Sequence, residues 1–207
     1  ANFEDLNPTL TNKHATGLVQ VKRGAKLSVS GTGTIDAGDK SKTYSAAYVT
    51  VKGDNEAKTA TLDVNGTTLK GYYYAIAGNG GRPNTVINLT DAKVYGTSTG
   101  DGDEAALGIY HPQMGTLTIN GGSTEIKGKA SGIEMRAGTL VVNDGKIEGT
   151  AVGYTVEANG SGSTTVGAGI AIAPHTTGKD ISVTINGGEI KGNQAISNAN
   201  PQNQTSE

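Results

Sequence analysis

Tyr110, Glu134 and Arg136 are the residues of this chain whose types are best suited to holding a sugar. A tyrosine ring packs against apolar C–H groups, whereas a carboxylate and a guanidinium hydrogen-bond to hydroxyls. The alternative is that Glu134 and Arg136 are ordinary solvated residues of a strand. The sugar-binding interpretation requires that all three side chains lie on one face of the fold.

Three further side chains are expected at the margins of this face. His111 and His175 each follow a predicted strand and stand next to a proline. They are expected to border the face or to pair as metal ligands, and the alternative is that they are plain surface histidines. Tyr74 belongs to the run 72–74, in which strand alternation sends at least one tyrosine outward. That tyrosine either offers a ligand contact or packs under the preceding loop.

Asp101, Asp103 and Glu104 form the one acidic cluster that suggests a metal. They begin with the Asp-Gly-Asp order of a calcium loop, but the distal ligands of that loop do not follow. A solvated acidic turn is the alternative. We therefore expect no cofactor, with calcium at these three residues as the weak exception.

The elements that must position these residues are predicted by a phrase that occurs six times. Each copy has a β-rich stretch, an Asn-Gly-like bend, one aliphatic residue and a closing glycine; the closing glycines are Gly38, Gly71, Gly96, Gly128, Gly149 and Gly192. Irregular repeats of this length are typical of a solenoid. We predict an all-β fold, a parallel β-helix of about six to seven rungs with three short strands per rung.

Strand alternation then assigns each side chain to the core or to the outer surface. The first strands of the rungs are predicted at 19–22, 49–52, 75–77, 108–111, 132–136 and 169–173. Like aliphatic residues such as Ile109, Ile133 and Ile170 should stack inside, and the bend asparagines should stack as a polar ladder. One outward column is Gln20, Thr50, Ala77, Tyr110, Glu134 and Ala171, and the next is Lys22, Lys52, Asn79, Pro112, Arg136 and Ala173. A preceding column of Tyr48, Ala75, Gly108, Gly132 and Gly169 is expected to give a mostly flat floor.

Composition narrows the class of protein. Apolar residues make up 34% of the chain and there are 32 glycines, which suits a thin core with frequent turns. The net charge of −2 gives no reason to expect nucleic acid as a partner. No apolar stretch is long enough for membrane insertion, and without cysteine there are no disulfides or zinc–thiolate sites.

The predicted solenoid occupies residues 17–197. Residues 1–16 match no rung and are expected to be an N-terminal cap or lead-in. Residues 198–207 are expected to be a polar tail or linker. We expect a monomer within a longer multidomain chain.

The phrases GIEMRAGTLVVNDGKIEG and GTLTINGG resemble the pectate-lyase-like adhesive domains of bacterial surface proteins. The resemblance covers roughly residues 17–197 and implies a right-handed β-helix, with ligands lying across the first-strand sheet. A lyase of this family would need clustered carboxylates for calcium, with Arg136 as the candidate base. Glu134 is the one acid expected on that face, whereas hydrolysis needs a carboxylate pair.

The leading hypothesis is therefore a non-catalytic adhesive or glycan-binding β-helix segment, extracellular or on the cell surface, whose partner is a glycan or a host matrix protein or mucin. The first alternative is a lyase-like enzyme that acts on polyuronides. The second is a structural stalk of a larger surface protein.

Overall fold

The computed structural model describes residues 2–3, 17–22, 24–39, 45–49, 58–80, 85–159, 162–173, 176–200 and 205–206. Three sheets of parallel strands wind around one apolar core. The fold is a right-handed parallel β-helix, as predicted, and six complete rungs lie in the described part of the chain.

The first sheet collects the first strand of every rung. Its parallel strands are Val19–Val21, Ser45–Val49, Tyr74–Ala77, Leu107–His111, Ser131–Met135, Ala168–Ile172 and Gln194–Asn200. Thr205–Ser206 pairs antiparallel with the end of the last of these strands. This sheet carries the residues that the sequence singled out, so it positions the candidate site.

The other two sheets close each rung. The second sheet consists of Lys26–Ser30, Ala60–Asn65, Thr85–Thr90, Gly115–Asn120, Gly138–Val142 and Ile181–Ile185. The third sheet consists of Asn2–Phe3, Thr34–Ala37, Thr68–Gly71, Lys93–Gly96, Glu125–Gly128, Lys146–Gly149 and Glu189–Lys191. A short 3-10 helix, Gly102–Glu104, and an antiparallel hairpin, Thr155–Asn159 with Gly162–Val166, lie outside the three sheets.

The core consists of stacked aliphatic columns. Ile76, Ile109, Ile133 and Ile170 are register partners on successive strands of the first sheet, and all four are fully buried. Leu62, Ile87, Leu117 and Leu140 form the equivalent column on the second sheet. Each such side chain contributes about 1.5–3 kcal/mol through burial of apolar surface. The predicted facing of these columns is confirmed.

The bend asparagines form the predicted ladder in the last three rungs. Asn143 donates a hydrogen bond from Nδ2 to Oδ1 of Asn120 at 2.8 Å. Asn186 donates in the same way to Asn143 at 2.7 Å. Because every bond runs from one rung to the rung before it, the ladder has a fixed direction along the solenoid axis.

The outer face of the third sheet carries a second ladder, made of charges. Lys127 Nζ lies 2.5 Å from Glu125 in its own rung and 3.5 Å from Glu148 in the next rung. Lys93 reaches Glu125 from the preceding rung at 4.0 Å. Since these side chains are partly solvated, each pair contributes little, about 0–1 kcal/mol.

The prediction was wrong for the first strand of the second rung. The strand is Ser45–Val49 rather than 49–52, and Ala47 stands between Val19 and Ile76 in the register. Tyr48, not Thr50, is therefore the partner of Gln20 and Ala77.

The two ends of the chain add strands beyond the repeated phrase. Asn2–Phe3 pairs parallel with Thr34 and Ile35 at the edge of the third sheet. Gln194–Asn200 begins a seventh rung and continues past residue 197. Among the described residues, no helix is long and apolar enough to span a bilayer.

Candidate functional site

The candidate site lies on the outer side of the first sheet and is bordered by the hairpin. The hairpin is held to the sheet by Ser131 Oγ, which donates to the Thr165 carbonyl at 3.2 Å, and by the Gly167 amide, which donates to the Ala130 carbonyl at 2.7 Å. Val166 packs against Ala105, Leu107 and Ala130. These contacts fix a wall beside the centre of the sheet.

Four half-buried tyrosines form a continuous line next to this wall, which we call the tyrosine row: Tyr72, Tyr73, Tyr74 and Tyr110. The rings of Tyr72 and Tyr73 meet edge to face at 4.7 Å, and those of Tyr73 and Tyr74 lie 6.4 Å apart. Tyr74 and Tyr110, one rung apart, stack at 5.2 Å with a tilt of 28°. Such pairs add about 0.5–1.5 kcal/mol each beyond their burial, so the ring contacts favour this arrangement of the row.

Arg136 extends the row by one rung. Its guanidinium carbon lies 5.5 Å from the centre of the Tyr110 ring. Its Nε donates to Oε1 of Glu134 at 2.6 Å, and both side chains are almost completely buried, at 3% and 1% exposure. Burial alone lowers the pKa of Arg136, but the Glu134 carboxylate, together with Tyr110 and Tyr74, more than offsets this effect, so the pKa is raised above its usual value.

The structure thus brings Tyr74, Tyr110, Glu134 and Arg136 together, as the sequence indicated, but not as an open floor. The alternative interpretation, that Glu134 and Arg136 are ordinary solvated residues of a strand, is wrong, because both are buried as an ion pair. Ala77, Ala171 and Ala173, at neighbouring outward positions, are buried as well. Of the residues that meet here, the half-buried tyrosines are therefore the accessible ones.

The glycines that were predicted to form a flat outer surface on this sheet have a different role. A Cβ added at Gly108, Gly132 or Gly169 would lie 2.6–2.7 Å from a methyl carbon of Ile126, Ile147 or Ile190, which belong to the third sheet. These glycines permit the close approach of the first and third sheets at their shared corner. A flat outward floor of glycine is therefore not present.

His111 was expected to border an open face. It is instead fully buried, and its register partner on the next strand is Met135. Its Nδ1 lies 3.0 Å from the Ala137 carbonyl, so Nδ1 carries the proton and donates. Burial lowers the pKa of His111 to about 4. Its Nε2 has no hydrogen-bond partner among the described residues.

Gln113 was not singled out by sequence reasoning; it lies two residues after His111, between the fourth-rung strands of the first and second sheets. Its side chain is fully buried, and Nε2 donates to Thr85 Oγ1 at 3.2 Å. A Cβ at Gly78 would lie 1.8 Å from Gln113 Oε1, so only glycine leaves room for this amide. The sequence feature that could have indicated this position is Gly78, a glycine that faces Gln113 of the next rung.

The remaining predicted residues are His175 and the acidic cluster of Asp101, Asp103 and Glu104. His175 lies outside the described residues. Asp101 precedes the 3-10 helix and accepts a hydrogen bond from Lys129 Nζ at 2.5 Å, which lowers the pKa of its carboxyl. No group of three metal-binding side chains occurs in the described ranges, and calcium at Asp101, Asp103 and Glu104 stays a prediction.

Comparison with known proteins gives no further assignment: no family model, curated protein or solved structure matches this chain. The chemistry of the site must therefore be inferred from its own geometry. That geometry offers half-buried tyrosines in contact with one another, next to one buried ion pair.

Proposed function

We propose that this β-helix is a non-catalytic binding module whose tyrosine row contacts a glycan or a glycosylated matrix protein or mucin at a cell surface. The proposal rests on one observation, the four half-buried tyrosines linked by ring contacts, three of them consecutive in one rung and the fourth in the next rung. Tyrosine combines an apolar body with a polar tip, so it suits partners that present both C–H groups and hydroxyls. The proposed pectate-lyase-like type and the surface location agree with this role.

The stacking limits how a ligand would be held. The Tyr110 ring is engaged by Tyr74 from the preceding rung and by Arg136 from the following rung. A sugar therefore meets the ring edges and hydroxyls of the row rather than the faces of Tyr110. Tyr72 and Tyr73 lie toward the other end of the row and complete the proposed surface.

The ion pair favours binding over catalysis. Arg136 was the candidate general base for a lyase, but its pKa is raised by Glu134. Removing its proton would also leave the buried Glu134 carboxylate without its cationic partner, which is costly. The pair therefore acts as a support for Tyr110, and a lyase remains the weaker proposal.

The test is a binding screen of the purified chain against polyuronides, neutral polysaccharides, mucin glycans and matrix proteins, with calcium and with chelator. The test variant is Tyr74→Ala with Tyr110→Ala, which removes the centre of the row. Tyr95→Ala is the matched control, because Tyr95 is a half-buried tyrosine on the third sheet that bonds to Glu125. We expect the double variant to lose at least about tenfold in affinity and the control to lose none.

Melting curves of all three proteins establish that the variants are folded at the assay temperature. Binding that survives the double variant would overturn the tyrosine row as the site. If the wild-type chain binds nothing in the screen, that result would favour the second candidate function, a structural stalk. The asparagine and charge ladders support that candidate, because they link the later rungs to one another.

A further inference from the structure

The last complete rung ends in two strand edges without a neighbour in the described part of the chain. Ile181–Ile185 is the terminal strand of the second sheet, and Glu189–Lys191 is the terminal strand of the third. The first sheet alone continues, through Gln194–Asn200. Unpaired edges present rows of amide and carbonyl groups that readily accept another strand.

The same end of the solenoid exposes apolar side chains that are buried in every inner rung. Ile185 is 39% exposed and Ile196 is 41% exposed, whereas Val142 and Ile170, their partners one rung back, are fully buried. Ile185 and Ile196 are the last members of core columns, and no further rung covers them in the described part of the chain. Covering them would remove apolar surface from water, which is favourable.

Two ladders indicate what would cover this end. The asparagine ladder runs in one direction, with each amide bonding to the Oδ1 one rung back. The next member would therefore donate to Oδ1 of Asn186. A segment with asparagine at its bend satisfies this requirement.

The charge ladder adds a second requirement. Glu125, Lys146 and Glu189 are successive register partners, and so are Lys127, Glu148 and Lys191. The sign alternates at each step in both columns. The next strand should therefore place a basic residue beside Glu189 and an acidic residue beside Lys191.

The fifth rung is an example of a segment with these features that pairs with an edge of the same kind. Residues 138–149, GTLVVNDGKIEG, follow a rung whose third strand is also Glu-Ile-Lys, and they pair with it in parallel register. The fourth and sixth rungs thus present the same order of charges to the rung that follows.

We propose that the edges of Ile181–Ile185 and Glu189–Lys191 are a docking surface for a strand–bend–strand segment from a further β-helix coil. That segment carries asparagine at its bend and a basic–aliphatic–acidic final strand. The proposal does not depend on the tyrosine row. The first rung of a second copy fits poorly, because its bend residue is Ser30 and Asn2–Phe3 already occupies the edge of its third strand.

The test uses a labelled peptide spanning residues 138–149 and a matched peptide in which its lysine and glutamate are exchanged. Each is titrated into the full chain and into the charge-reversed variant Glu189→Lys with Lys191→Glu. We expect wild type to prefer the native peptide by about threefold or more, the effect of two exposed ion pairs, and the variant to reverse this preference. Amide exchange should slow in Ile181–Ile185 and Glu189–Lys191.

Two further variants distinguish binding at this edge from nonspecific binding to exposed apolar side chains. Ile185→Asp should abolish binding, whereas Val152→Asp, at a fully exposed apolar residue elsewhere, should leave it unchanged. Equal affinity of wild type for both peptides would overturn the proposal. Concentration-dependent self-association that buries the same edges would overturn it in favour of a second copy.

A free peptide loses conformational entropy when it binds, and this cost can hide a real docking surface. A covalent fusion of the segment to the chain reduces that cost. Residues 131–149 are placed after Asn193 in place of 194–207, with and without the charge exchange. We expect the native fusion to protect both edges from amide exchange more strongly than the exchanged one. Absence of protection with both the peptide and the fusion would refute the docking surface.

Discussion

His111 is a single side chain whose burial gives the whole fold a pH dependence. Its pKa is about 4 in the folded chain, against an ordinary value of 6.5, because burial disfavours the charged ring. The unfolded chain therefore takes up this proton first as the pH falls. The contribution of His111 to stability is complete above pH 6.5 and is lost progressively between 6.5 and about 4.

We expect the loss to be on the order of 3 kcal/mol once the ring is fully protonated. The measurement is the free energy of unfolding by denaturant at several pH values across that window. His111→Gln is the control, because it keeps a polar side chain at the corner but does not titrate. If wild type and His111→Gln lose stability in parallel, the ring is not the titrating group.

At the scale of residues, the sequence predicted proximity better than exposure. Tyr110, Glu134 and Arg136 do meet on one face, because strand alternation determines which side of the sheet a residue takes. Alternation does not say what lies over that side, so the burial of Glu134 and Arg136 was not predicted. The same reasoning missed Gln113, whose position depends on the space at Gly78.

At the scale of elements, the closing glycines let the third strand of one rung pass into the first strand of the next. A Cβ at Gly149 would lie 2.1 Å from the carbonyl oxygen of Ala168. We expect Gly149→Ala to cost about 2 kcal/mol or more in the free energy of unfolding, because backbone must shift. Gly122→Ala is the control, since its nearest neighbour is the end of the Asp144 side chain at 3.2 Å.

Denaturant unfolding of the two glycine variants checks this difference. The control should stay within about 0.5 kcal/mol of wild type. Equal stability of the two variants would mean that the corner at Gly149 relaxes easily. In that case the recurring glycine would reflect something other than close approach of the backbone.

The asparagine ladder allows a comparison within one element type. Asn143 takes part in two bonds between rungs, whereas Asn186 takes part in one. We expect Asn143→Ala to lower the free energy of unfolding about twice as much as Asn186→Ala, at roughly 0.5–1 kcal/mol per bond. Thermal and denaturant melts measure both losses, and equal losses would show that the number of ladder bonds does not determine the cost.

One strand was predicted in the wrong place for a physical reason that belongs to this scale. The sequence at 49–52 alternates apolar and polar residues, which favoured a strand there, and the observed second-rung register is displaced by two residues from that prediction. A shift by two keeps every side chain on the same face, so the hydrophobic pattern cannot detect it. Pairing with Tyr74–Ala77 determines the true register.

At the scale of the molecule, the repeated phrase was sufficient to predict the β-helix, because a solenoid needs only that each rung match its neighbours. The same property makes stability depend on position along the axis. An inner rung is packed on both sides, whereas the last rung is packed on one. Identical chemistry should therefore cost different amounts at different rungs.

Ile133 and Ile196 test this dependence. Ile133 is fully buried between Ile109 and Ile170, whereas Ile196 lies on the last strand of the first sheet's parallel series and is 41% exposed. Ile133→Asp places an unpaired charge in a core one side chain wide, so we expect a loss of about 4 kcal/mol or more. Ile196→Asp can turn its carboxylate to water and should cost about 1 kcal/mol or less.

The measurement is a melt of each variant, followed by amide exchange along the chain. Ile133→Asp should melt far below wild type, or fail to fold, and lose protection in the rungs on both sides. Ile196→Asp should lose protection only around Gln194–Asn200, because local opening at a solenoid end need not spread inward. A cooperative loss over all rungs in Ile196→Asp would instead show that the end rung holds the inner ones together, and a normal melt of Ile133→Asp would refute the register of the first sheet.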